Sequence, residues 1–203
     1  MNSEQEPTNI DGMNGFERTI KCIADVIGAV LLLIVLSPIF LLIYIRQKMD
    51  GTGPAIYSQE RIGKGGKPFR IYKFRTMIVD AEKGGVPQLE QDDDPRLTDF
   101  GKVLRKRHWD ELPQIWNVLK GDMSFVGYRP ERLYFINQIM EHNSDYQLLY
   151  QSLPGVTSLA TIQNGYTDTM EKMLKRLDMD LYYLRHRTLW GDAKIIFQTL
   201  FNL

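Results

Sequence analysis

The stretch that decides the fold is Val26 to Ile45, VIGAVLLLIVLSPIFLLIYI. It holds roughly 20 apolar residues, about 30 Å as a helix, which matches the hydrocarbon core of a bilayer. Ser37 and Pro38 interrupt it. Proline has no N–H to give and its ring crowds the carbonyl of Ile34, while the residue before it is pushed away from helical dihedrals. Spanning helices tolerate such prolines when neighbours repair the backbone. The flanks matter more. Arg18 and Lys21 precede the run, and Arg46 and Lys48 follow it. The positive-inside rule normally gives the two ends of a span different charge, and here both carry the cytoplasmic signature. Two readings stay open on these residues: a kinked span, or a helix that enters, turns at Ser37-Pro38 and leaves by the same face.

Outward from this run, the preceding MNSEQEPTNIDGMNG is polar and acidic, unlike the basic start of a cleavable signal peptide. It reads as a flexible tail, residues 1–15, before a retained membrane helix, 16–48, and the main domain, 49–203. A chain of 203 residues supports one substantial core of this kind. Its 25 basic and 25 acidic residues balance, so no global polyanion-binding charge exists and a nucleic-acid partner is not expected. The single cysteine, Cys22, rules out an internal disulfide, and nothing requires an oxidising compartment.

Beyond Met49, AIYSQERIG and FRIYKF read as two strands joined through GKGG, a β-hairpin. A helical turn is expected at Met77–Glu82, then a loop rich in Gly, Pro and Asp from Gly84 to Asp94. Helices are expected over Leu97–Arg107, Glu111–Leu119 and Glu131–Tyr150, the last in one or two pieces. Ser152–Asn164 reads as irregular. Met170, Met173, Leu174, Leu177, Leu181 and Leu184 keep helical spacing. Trp190–Leu203 is amphipathic, suited either to core packing or to lying in a membrane interface. The expected fold is helix-rich α/β.

Three clusters carry potential chemistry. KFRT places Lys73 and Arg75 at a strand end, where they alternate faces unless the strand stops there. LRKRHWDELPQIWN runs from Arg105, Lys106 and Arg107 straight into Asp110 and Glu111. The plain explanation is that Asp110 caps a helix whose first turn favours acids and tolerates Pro113. The chemical one is that two carboxylates beside fixed positive charges serve a metal and a polyphosphate, with an ionised Asp able to attack phosphorus. GDMSFVGYRPER, Gly121 to Arg132, reads as a short apolar strand flanked by glycines and adds Arg129, whose planar fork suits a phosphate.

The ordered series SP in an apolar helix, KFRTM, DPRLTDFG, LRKRHWDELPQIWNVLKGDMSFVG, RPE, PGVTS and DMDLYYLRHRTLWGDAKII closely resembles the monotopic phosphoglycosyl transferases, the bacterial sugar transferase family. The resemblance runs from about Phe16 to the C-terminus. It implies a monotopic membrane protein whose Ser37-Pro38 helix is re-entrant, with interfacial amphipathic helices, at the cytoplasmic face of a bacterial inner membrane. It implies transfer of a sugar 1-phosphate from a UDP-sugar to a polyprenol phosphate, undecaprenyl phosphate being the usual one. UMP leaves, Mg²⁺ is required, and the reaction begins membrane-bound glycan assembly. Asp110 and Glu111 match the family's catalytic pair, with Asp110 the nucleophile, through a covalent aspartyl-phosphosugar, and a metal contact. Lys73, Arg105 and Arg129 match phosphate-binding positions. Beyond the two substrates and the lipids of one leaflet, further copies of the chain or enzymes of the same glycan pathway are the candidate partners. Two rival functions share the fold: a phosphohydrolase using water as acceptor, and a membrane scaffold without chemistry. The chain departs from the family pattern at Tyr128, commonly proline, at Leu153, commonly arginine, and around Gln163, which leaves the sugar and nucleotide contacts there unassigned.

Overall fold

The structure is a computed structural model describing residues 9–50, 53–81, 94–165 and 167–202. Helix α1, Gly15–Met49, opens on a capping box: the Asn14 side chain accepts from the Glu17 N–H, and Glu17 returns the bond to the Asn14 N–H, each at 3.0 Å. It then runs through Ser37-Pro38 without a break. The sequence supplies its own repair, because the Ser37 hydroxyl donates to the Ile34 carbonyl at 2.8 Å, the group that Pro38 leaves without an N–H. The expected interruption is therefore absent from this helix.

One stripe of α1 is covered. Lys21, Asp25, Ala29, Leu33, Leu36, Phe40, Ile43 and Gln47 recur at three- and four-residue steps and pack on the rest of the chain. Polar groups pin both ends. Asp25 accepts from Ser124 Oγ at 2.7 Å and from the Phe125 N–H at 3.2 Å, and Lys21 pairs with Asp192 at 2.6 Å. At the far end the Gln47 amide donates to the Arg75 carbonyl. The remaining surface of α1 is exposed and apolar, including Ile27, Leu31, Ile34, Val35, Leu41 and Leu42. Such a continuous apolar face belongs against lipid rather than water, and α1 is long and apolar enough to cross a membrane.

The expected hairpin is present: β1, Ile56–Ile62, pairs antiparallel with β2, Pro68–Phe74, across a short 3₁₀ turn whose Gly65 and Gly66 take positive φ. Met77 to Ala81 is not the helical turn expected; Met77 bridges to Leu97, and the Ile78 N–H bonds to the Arg96 carbonyl. Most of the Gly84–Asp94 loop lies outside the described residues. Helix α2, Asp99–Lys106, is capped by Thr98. A 3₁₀ turn, Trp109–Glu111, and α3, Gln114–Leu119, follow it. The chain continues through β3, Ser124–Val126, α4, Leu133–His142, and a 3₁₀ segment, Ser144–Gln151, the two pieces expected. Ser152–Asn164 is more ordered than expected: β4, Gly155–Thr157, pairs parallel with β3, and α5, Leu159–Asn164, comes next. Gly127 and Gly155 permit that close pairing, since a Cβ on Gly155 would sit 2.1 Å from the Gly127 nitrogen.

Helix α6, Met170–His186, buries Met173, Leu177, Leu181 and Leu184 against α4 and the 3₁₀ segment as the main core. Helix α7, Leu189–Asn202, buries Ile195 and Asp192 but exposes Trp190, Phe197, Leu200 and Phe201. Its amphipathic character thus serves both a core and an exposed apolar face. Residues 9–14, within the stretch read as a loose tail, are tied down. Arg187 grips Asp11 through two bonds of 2.7 and 2.6 Å, and the Gly12 N–H bonds to the Leu184 carbonyl.

Candidate active site

β2 carries Lys73 to the site because Asn117 fixes the strand. Asn117, fully buried on α3, accepts the Tyr72 N–H at 3.1 Å and donates to the Arg70 carbonyl at 2.7 Å. These bonds occupy backbone groups that no third strand pairs, and unmet buried groups are costly. Lys73 is thereby aimed at the 3₁₀ turn.

That turn begins at His108, in the left-handed conformation at φ 53°, a conformation uncommon outside glycine. The sharp reversal follows directly on α2, with the His108 N–H bonded to the Arg105 carbonyl and the Glu111 N–H to the His108 carbonyl. Asp110 is consequently inside the turn and not a helix cap, and α3 starts later, at Gln114, behind Pro113. The capping explanation for the acidic pair is excluded. Successive residues of a 3₁₀ turn diverge by about 120°, so the two carboxylates have separate surroundings.

Glu111 Oε1 receives Lys73 Nζ at 2.7 Å and Arg129 Nη2 at 3.0 Å. Burial pushes the Glu111 carboxyl up, but the charges of Arg129 and Lys73 and their hydrogen bonds outweigh it and hold it well below the ordinary range. Glu111 is thus a fixed anion that places two cations side by side. Asp110 is buried at 6% exposure, unlike an ordinary surface aspartate. Arg105, on the last turn of α2, donates from Nε to Thr76 Oγ1 at 3.1 Å. Lys73, Glu111 and Arg129 therefore meet directly, while Arg105 is tied to Thr76 by its side chain and to the start of the turn only by its backbone carbonyl, which accepts the His108 N–H. Ser37 and Pro38 lie on α1, with no described bond to this cluster.

Sequence reading missed Asn117 and Thr76, the residues that orient Lys73 and Arg105. Tyr128, the departure from the family's proline, is 1% exposed and bridges to Pro154, so it faces the interior.

Among the described residues no group of three acidic, His or Cys side chains gathers for a metal. A magnesium ion usually takes one or two carboxylates, completing its shell with water and substrate phosphate. Asp110 fits that requirement, whereas Glu111 Oε1 is already engaged by Lys73 and Arg129.

Glu111 thus holds two cations together, and the buried carboxylate of Asp110 is its neighbour in the chain. The bacterial sugar transferase family model matches residues 16–203, and the chain belongs to that family. It is 41% identical over 192 residues to a UDP-glucose:undecaprenyl-phosphate glucose-1-phosphate transferase of Escherichia coli, covering 94% of this chain and 41% of that protein. An Aeromonas hydrophila UDP-N-acetylgalactosamine-undecaprenyl-phosphate N-acetylgalactosaminephosphotransferase is 39% identical, covering 89% and 43%. A Caulobacter vibrioides protein with the same name as the Escherichia coli one is 40% identical, covering 90% and 69%. The chain thus spans about two fifths of the length of the first two relatives and about two thirds of the third.

Proposed function

We propose that this chain transfers a sugar 1-phosphate from a UDP-sugar to a polyprenol phosphate, undecaprenyl phosphate by analogy with its relatives, at the cytoplasmic face of a bacterial inner membrane. The observation that carries the reading is Glu111 holding Lys73 and Arg129 together beside buried Asp110. In the first half-reaction a carboxylate oxygen of Asp110 attacks the phosphorus bonded to the sugar. The bond from that phosphorus to the bridging oxygen breaks, and UMP leaves with the bridging oxygen. In the second, a phosphate oxygen of the lipid attacks the same phosphorus and the bond to Asp110 breaks, freeing the carboxylate. Lys73, Arg129 and Arg105 bind the phosphates and stabilise the charge that spreads over the transferring oxygens. Magnesium, held by Asp110 with the diphosphate, would supply charge neutralisation for the leaving UMP.

The long apolar helix α1 supports the membrane placement. Asp25 and Gln47, both bonded to the same polar domain, are separated by about 33 Å of helix at 1.5 Å per residue. That distance equals a hydrocarbon core. A perpendicular crossing would drag buried polar groups such as Asn117 through lipid. A helix that keeps both ends on the side of that domain avoids this cost.

The deciding experiment supplies Mg²⁺ and a panel of UDP-sugars and follows UMP release with and without polyprenol phosphate. Lipid-dependent release that disappears in Asp110→Asn supports transfer. Equal release without lipid would make the chain a phosphohydrolase, and no release from folded protein with any sugar would leave a scaffold.

A further inference from the structure

Behind Arg129 lies a buried polar cluster that the proposed chemistry does not use. Asp180, on α6, is 2% exposed, and its carboxylate accepts the backbone N–H of Arg129. Arg176, one turn earlier, hydrogen-bonds Glu131, which also pairs with Arg61 at 3.1 Å. Asp180 Oδ1, Tyr146 Oη and Tyr128 Oη are buried without a hydrogen-bond partner among the described residues. A cavity of about 10 Å³, lined in part by Arg129, Tyr146, Arg176 and Asp180, adjoins the first two of these groups. That is the room one water needs, and the lining offers the polar partners that make a buried water stable.

The cluster is costly to keep. Burial pushes the Asp180 carboxyl up to about 7 against the opposing charge of Arg176 and the Arg129 N–H, and Glu131 adds to the rise. Burial also pushes the phenols of Tyr146 and Tyr128 well above their ordinary value, so both stay O–H donors. An apolar residue at position 180 would suit the surrounding Leu177, Leu181 and Leu184 better. An expensive carboxylate kept there points to a task, and the bond it makes reaches the one residue of this segment that touches Glu111.

We propose that Asp180 is a positioning residue for Arg129: its buried carboxylate holds the Arg129 amide, and with the phenol of Tyr146 it binds one internal water that backs the same loop. Arg129 follows β3 and has no regular secondary structure of its own. A loop residue is otherwise free to swing, and a phosphate clamp displaced by 1 Å loses much of its effect.

This inference rests on the transferase reading for its meaning, but its test does not. Hydrogen exchange at the Arg129 amide, read by NMR or mass spectrometry, should be slow in the unmodified chain and in Asp180→Asn, whose amide oxygen still accepts. It should be at least tenfold faster in Asp180→Ala. In UMP-release assays Asp180→Ala should raise the KM for the UDP-sugar at least tenfold, Asp180→Asn less than threefold, and in an Arg129→Ala background Asp180→Ala should add less than twofold. An unchanged Arg129 amide in Asp180→Ala overturns the proposal. So does an equal loss in the Arg129→Ala background, which would mark a general structural role. If Asp180→Ala does not fold, Asp180→Asn still decides: a folded variant with a tenfold loss shows that acceptance of the N–H is not what matters. Faster Arg129 exchange in Asp180→Ala, in a chain that releases no UMP from any sugar, would sustain Asp180's role and sink the transferase reading alone.

Discussion

Glu111→Gln tests whether the carboxylate organises the site. The substitution keeps shape and removes one charge from between Lys73 Nζ at 2.7 Å and Arg129 Nη2 at 3.0 Å. Hydrogen bonds to charged groups are worth about 1.5–3 kcal/mol each. The Gln oxygen retains part of one, and the Arg129 side chain, 31% exposed, keeps part of its hydration, so its share is discounted. The two cations then repel with no anion between them. A net destabilisation of about 2–4 kcal/mol follows, which for a chain of this size lowers Tm by roughly 5–12 °C. The sign with pH is fixed by the depressed Glu111 carboxyl. Its stabilisation is complete above the unfolded value near 4.5 and is lost only as pH falls through the lower folded value. Thermal unfolding in detergent at pH 7 should therefore separate the two proteins, and the gap should persist down to pH 5. A Tm within 1 °C of the unmodified chain at pH 7 would refute the view that Glu111 anchors Lys73 and Arg129.

Thr76→Val removes the acceptor for Arg105 Nε at nearly constant shape; it should cost about 1 kcal/mol of stability and raise the KM for the UDP-sugar several-fold, whereas an unchanged KM would free Arg105 from Thr76. Asn117→Ala strips β2 of two backbone partners and should cost about 2–4 kcal/mol, measured by thermal unfolding, with a low turnover in whatever remains folded. Reporters at Asn14 and Asp50, at the two ends of α1, should be labelled from the same face of sealed vesicles; labelling from opposite faces would establish a span.

The elements legible in sequence were those with local signals. The hairpin announced itself through alternation and GKGG, α6 through its apolar period, and α1 through its length. Of the second sheet, β3 was legible as a short apolar run flanked by glycines, but β4 and its pairing were not, because three residues pairing across a long separation leave no local period. Pro38 does not end the helical backbone, because the hydroxyl next door takes the Ile34 carbonyl. At the site, the resemblance pointed to Lys73, Glu111 and Arg129, and the structure brings those three together. It could not show that Asp110 sits in a 3₁₀ turn, since that depends on His108 adopting a positive φ. Asn117 and Thr76 were invisible because their partners are 45 and 29 residues away. Asp180 left a trace: it falls between Leu177 and Leu184 on the apolar face of α6, where an acid calls for a reason.

The central claim is that Asp110 carries the sugar phosphate. The direct measurement is to incubate the protein with Mg²⁺ and a UDP-sugar substrate in the absence of lipid, quench, digest and weigh the peptides. The peptide containing Asp110 should gain the mass of the phosphosugar and lose it when polyprenol phosphate is added before the quench. An adduct on another residue, or lipid-dependent transfer that survives in Asp110→Asn, would contradict the account.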